Sequence, residues 1–283
     1  MRMRAALAVS LLVLAAGATA AADEIRSVPV VTQVQGAVFY RTSITLFNGN
    51  ASTTTPVEML FSYRSPADGT FQTTTLQVSP NLGPRTVRFF DDIIQAFKNA
   101  GRIRSADASR NLFGTLLVTF ASLDSRVEAG VVARTYSPAT GGGTNAIAYE
   151  GRCFCETGAT GRVLTAGRSG SFGSDGSTRA NMGIVNEGFG PSDVRITYYN
   201  GDTGAQLKQY LLGDVIGRAL EENEVYQLNN IFSDAAIPAS VHTLFIRVEP
   251  EFPGGSSYIS AYMVQLDNTT NDGAFFFGFE EGT

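Results

Sequence analysis

The sequence predicts an all-β protein built from two tandem β-sandwich domains, each with about seven strands and one short helical turn. Three observations carry that expectation. First, residues 41–50, RTSITLFNGN, are echoed at residues 179–188 as RANMGIVNEG, an offset of 138 that pairs Arg41 with Arg179 and Asn48 with Asn186. The echo continues: PVEMLFSYRSPADGTFQ answers SDVRITYYNGDTGAQL, and FDDII answers LNNIF. Later, GTLLVTF matches HTLFIRV and GVVARTY matches YISAYMV at an offset of 128, so the first copy carries ten extra residues within KNAGRIRSADASRN. A repeat of this length denotes tandem domains, not a solenoid of small units. Second, Val57, Met59, Phe61 and Tyr63 alternate with polar neighbours, as do Val194, Ile196 and Tyr198; period-two alternation gives a strand with one face in a core. Third, 30 glycines, dense Val, Thr, Tyr and Phe, and no tryptophan fit many short strands joined by turns.

Residues 1–22 read as a secretory signal peptide. Arg2 and Arg4 precede an apolar run from Ala5 to Ala16, and the small residues that follow suit cleavage. The run is shorter than the roughly 18 residues that argue for a membrane span. Residues 23–150 form the first domain, with strands expected at VPVVTQV, RTSITLF, VEMLFSY, FQTTTLQV, TVRFF, GTLLVTF and VEAGVVART. Seven short strands separated by Gly, Pro, Asn and Asp suggest a Greek-key sandwich of immunoglobulin-like type, without the cysteine pair and Trp of antibody domains. A single larger sandwich shared by the two copies is the alternative. One helical turn is expected after FDD and after LNN. Asp91-Asp92 becomes Asn229-Asn230 in the second copy, an exchange that keeps the ability to cap a helix and discards the charge, which favours capping over acid–base chemistry. Residues 151–161 read as a linker containing Cys-x-Cys, and residues 162–283 as the second domain, opening on RVLTA.

YRTSITLFN, TRANMGIVN, YQLNNIF and ISAYMVQLDNTTND together resemble uncharacterised secreted bacterial proteins built from tandem all-β repeats. The resemblance spans nearly all of the chain after residue 22. It implies a surface or extracellular β-protein and supplies no catalytic or binding residues.

Without Arg2 and Arg4 the net charge moves from −5 to −7, which gives no electrostatic reason to seek nucleic acid. A single histidine, His242, cannot build a His-based zinc cluster and reads as an exposed strand-end residue. No cofactor motif is present. The candidate sites are therefore the places where the copies disagree. Cys153 and Cys155, on one face of an extended segment, read as a local disulfide in an oxidising compartment, with a bond to another chain as the alternative. DNTTNDG offers Asp267, Asn271 and Asp272 as calcium ligands, against a plain hairpin turn. Lys98, Arg102, Arg104 and Arg110 make a basic loop suited to an anionic polysaccharide or an acidic neighbour, against a solvated loop. Phe275, Phe277 and Phe279 share one face of a closing strand that can add to another molecule's sheet if it is not covered.

The leading expectation is a secreted, non-enzymatic protein of adhesion or extracellular assembly, meeting itself, another surface protein or a polysaccharide. A carbohydrate-binding module using exposed Tyr198 or Tyr199 is second, and a carboxylate-based hydrolase third.

Overall fold

The computed structural model describes residues 22–36, 38–123, 129–139, 141–153, 162–167, 178–234, 236–251, 258–267 and 273–280. Of the expected leader, only Ala22 lies among them. The chain is all-β, in antiparallel sheets.

The first half contains β1 (Ala22–Gln35), β2 (Phe39–Asn48), β3 (Val57–Arg64), β4 (Phe71–Gln77), β5 (Val87–Phe90), α1 (Ile93–Asn99), β6 (Leu112–Leu123), β7 (Ala129–Pro138), β8 (Thr144–Glu150) and β9 (Arg152–Cys153). They form one sheet in the order β4-β3-β6-β1-β2-β7-β8, with β5 on β2 and β9 on β1. β1 runs along β6 and meets β2 only at Gln33–Gln35. The β6 ladder shifts register between Val28 and Val31, around Pro29, which has no N–H to donate. The second half contains β10 (Arg162–Gly167), β11 (Thr178–Asn186), β12 (Asp193–Asn200), β13 (Gln206–Leu211), α2 (Leu212–Ile216), β14 (Val225–Leu228), a 3-10 turn (Ile231–Ser233), β15 (Thr243–Glu251), β16 (Ile259–Asp267), β17 (Gly273–Phe277) and β18 (Phe279–Glu280). Here the same topology appears as two sheets, β13-β12-β15-β10-β18 and β14-β11-β16-β17.

The repeated segments hold equivalent places. Ile44 pairs with Phe90 and Met182 with Leu228, so the offset of 138 holds through β2/β11 and β5/β14. Inward Leu116, Val118 and Phe120 answer Leu244, Ile246 and Val248 at 128. In the last matched strand the expected offset of 128 is corrected to 130, because Asn48 faces Ala129 and Asn186 faces Ile259. Of three further points, the first agrees with expectation and the other two differ. The helical turn after FDD is α1, with Asp92 as N-cap accepting from the Gln95 amide at 2.9 Å. After LNN there is only a 3-10 turn whose cap, Asn230, is left-handed and makes no side-chain cap bond. α2 and β8 were not read from the sequence: LGDVI is short, and TNAIAYE alternates weakly.

Asn48 and Asn186 explain the echo. Both are buried. Asn48 Nδ2 donates to the carbonyls of Thr53, Leu82 and Gly83, and its Oδ1 accepts from the Asn50 amide. Asn186 Nδ2 donates to the carbonyls of Gly190 and Leu220, and its Oδ1 accepts from the Gly188 amide. Each ties the turn after its strand to the loop entering β5 or β14, giving the buried Asn50 or Gly188 amide its acceptor and the Leu82 or Leu220 carbonyl a second donor beside the backbone amide of Thr55 or Ser192.

Two apolar clusters form. One belongs to the second half and takes inward side chains from both its sheets, such as Leu164, Ile196, Ile246, Met182, Ile184 and Met263, giving a sandwich-like core. The other fills the first half and also takes Val185, Val225, Tyr262, Val264 and Leu266 from the outward face of β11, β14 and β16. The second half therefore lays one sheet face on the first, and β11 and β16 are buried on both sides.

Candidate functional site

The seam between the halves is where the structure concentrates polar chemistry. Gly183 makes part of it: a Cβ there would lie 1.9 Å from Tyr262 Cζ, so the ring rests directly on the glycine backbone. Phe275 stacks on Tyr262 at 4.9 Å and on Tyr149 of β8 at 4.4 Å. Tyr149 donates its hydroxyl to the Val30 carbonyl at 2.6 Å, and burial pushes the Tyr149 and Tyr262 phenols well above their ordinary value.

At one end, Glu224 is gripped from both halves. Arg64 gives it bonds of 2.7 and 2.8 Å, Arg218 gives 2.7 and 2.6 Å, and the Glu221 amide adds 2.9 Å. Burial works to raise this carboxyl, but the Arg64 and Arg218 bonds outweigh it and hold it below the usual range. Thr115 Oγ1 donates to the Asn223 carbonyl beside it. At the other end Glu187, almost wholly buried, accepts from Ser27 Oγ at 2.6 Å. Burial raises its carboxyl despite that bond. Because the folded state holds this proton more tightly than the unfolded chain does, the Glu187 contribution is fully present below the ordinary carboxyl value and is lost as pH rises towards the raised one. Glu187→Gln removes the titration, so its gain in melting temperature over the parent is expected to widen between acid and neutral pH; thermal melts across that range check this, and a constant difference would show that Glu187 does not titrate there.

Two adjoining clefts open on the seam. One, about 360 Å³, is lined by apolar side chains such as Val34, Phe113 and Phe275 with Arg179, Asn181 and Gln227. The other, about 410 Å³, shares Val34, Phe113 and Gln227 and reaches Arg64 and Glu224. Among the described residues the first has no carboxylate, histidine or cysteine in its lining. In the second, Glu224 is held ionised by two guanidiniums, which suits a structural anion and not a general acid.

The residues singled out in the sequence are dispersed. Cys153 pairs across from Arg26 and is disulfide-bonded; the other cysteine of the chain, Cys155, lies outside the described residues. Asp267 ends β16, while Asn271 and Asp272 also lie outside. Among the described residues no cluster of three or more His, Cys, Asp or Glu side chains is placed to hold a metal. The basic loop is not a free patch. Lys98 donates to Gln33, Arg104 bonds Asp68 at 2.7 Å and Thr70 at 3.0 Å, Arg110 bonds the Ala106 carbonyl, and Arg102 is exposed. Its anchor, missed in the sequence, is Asp107, which is fully buried and accepts from Ser65 Oγ at 2.7 Å and Tyr63 at 3.2 Å. Phe275 and Phe277 are half-buried within the chain, Phe277 under Arg152 at 4.8 Å, whereas Phe279 on β18 is exposed. Tyr198, expected on the surface, is buried in the second core against Tyr210; inward alternation with Val194 and Ile196 placed it there. Tyr199 does face outward, meeting Phe245 edge-on at 5.8 Å beside Arg247 in a cleft of about 430 Å³. His242 is exposed, just before β15.

One surface feature had no warning in the sequence. On the outward face of β5, β2 and β7, Val87 (64% exposed), Phe89 (59%), Phe47 (37%) and Val132 (38%) are neighbours: Phe47 faces Val87, and Thr45 faces both Phe89 and Val132. Among the described residues no helix is long and apolar enough to cross a membrane. Comparison with protein-family models and with curated proteins gives no match.

Proposed function

We propose that the chain is a secreted, non-enzymatic interaction protein of two tandem immunoglobulin-like sandwiches, residues 23–150 and 162–283, serving adhesion or surface assembly. The observation that carries this reading is the exposed apolar face of Phe47, Val87, Phe89 and Val132, because contiguous apolar surface on a water-facing sheet marks a contact site. The purified protein is expected to show no turnover against glycoside, ester and peptide substrates. Turnover abolished by one carboxylate substitution would sink the proposal.

A second reading, carbohydrate binding, has its own support in the Tyr199, Phe245 and Arg247 cleft, which pairs aromatic edges with a guanidinium. A glycan array distinguishes it: binding weakened by Tyr199→Ala favours this reading, and an array without hits removes it.

A further inference from the structure

We infer that this chain binds a second copy of itself head to tail, by repeating between molecules the contact its own halves make within one. The inference rests on the interaction-protein reading and names the partner. In the seam the second half is the donor, offering the outward face of β14, β11 and β16 through Val225, Val185 and Tyr262, all buried there. The strand registers assign each an equivalent in the first half: Val87 for Val225, Phe47 for Val185 and Val132 for Tyr262. All three equivalents are apolar, and all three are exposed. The loop beside them is kept as well. Asn223, whose carbonyl receives Thr115, has φ of 60°, and Arg85 at the matching position has φ of 52°, a left-handed conformation uncommon for such a side chain. The first half thus carries an equivalent face in the same strand register that the described residues leave exposed.

The acceptor in the seam is the outward face of β3, β6 and β1, which meets the second half through Ser27 and Thr115 and on which Leu60, Leu117 and Ser27 form one cross-strand row. In the second half the corresponding row is Tyr199, Phe245 and Thr165. It keeps the apolar part of the original, an aromatic pair in place of two leucines, and a hydroxyl at the place of Ser27; the donor has Gly49 and Thr86 where the seam has Glu187 and Glu224, so the repeated contact is made without the two carboxylates. Thr243 stands where Thr115 stands. Phe245, Thr165 and Thr243 are exposed. Among the described residues each molecule therefore presents one exposed donor face and one exposed acceptor face at different places, the Thr243 hydroxyl of the latter donating to Asp202 at 2.7 Å. Such a contact is heterologous, so it propagates into a fibre or closes into a ring and does not stop at a symmetric dimer.

The test uses sedimentation velocity over a concentration series on the protein without its leader, with two surface variants, Val87→Asp/Phe89→Asp on the donor and Phe245→Asp on the acceptor. Circular dichroism and melting temperature confirm that both remain folded. The parent is expected to grow with concentration, and each variant alone to associate about 30-fold or more weakly. Mixing the two variants is expected to restore one contact and give a 1:1 dimer that grows no further, because each intact face then meets its complement once. A parent that stays monomeric at every concentration overturns the inference, as does association unchanged by either variant, or a mixture that yields no dimer. A monomer that still binds cells or polysaccharide would overturn self-docking alone, whereas carboxylate-dependent turnover would overturn the interaction-protein reading whatever the association state.

Discussion

Replacing Asn48 by Ala is expected to cost about 3 kcal/mol of stability, and replacing Asn186 by Ala nearly as much, read as a fall in the urea midpoint at constant m-value. The size follows from what is left behind: a buried amide at Asn50 or Gly188 without its acceptor, the loss of the loop tie at the Leu82 or Leu220 carbonyl, which keeps only its backbone donor, and the hole left by a buried side chain. Asn→Asp at either site separates shape from donation. Aspartate keeps the outline and the acceptor but points an oxygen at the carbonyls the amide served, so it should cost at least as much as alanine. A mild Asp variant would show that the nitrogen's bonds contribute little.

The second large effect belongs to Glu224. Removing it leaves Arg64 and Arg218 facing each other across the seam, and Glu224→Ala is expected to cost about 3 kcal/mol, within the range for breaking one side of a buried ion pair. A double-mutant cycle with Arg64→Ala isolates the contact between the halves, because Arg218 lies six residues from Glu224 on the same half. A coupling energy near zero would mean the Arg64 bonds do not hold the seam. The acid side gives an independent check. Glu224 has its carboxyl held low in the folded state, so its contribution is present above the ordinary carboxyl value and is lost as pH falls towards the lowered one, opposite in sense to Glu187.

The fold was legible wherever chemistry is local. Alternation in VEMLFSY placed Met59, Phe61 and Tyr63 inward, the exchange of Asp92 for Asn230 favoured capping, and Asp92 does cap α1. The seam was less legible because its partners are distant in sequence: Ser27 and Glu187 are 160 residues apart, as are Arg64 and Glu224. A signal was nonetheless present. ISAYMVQL is apolar or small on both faces where AGVVARTY is not, and GIV puts a glycine where the first copy has Thr45. A strand covered on both sides reads that way, and comparing the outward residues of the copies would have found it. Asp107 was hidden for another reason: a single acidic residue in a basic loop gives no hint that a turn will fold it beneath Tyr63 and Ser65.

The Tyr149–Phe275–Tyr262 stack also gives the molecule an optical label. With no tryptophan in the chain, its near-ultraviolet absorption comes chiefly from ten tyrosines, and two of them sit where the halves meet. Both phenols resist ionisation while the stack is closed. A jump to alkaline pH should therefore leave their phenolate absorption to rise only as the seam opens, so a spectrophotometer can time the parting of the halves in the unlabelled protein.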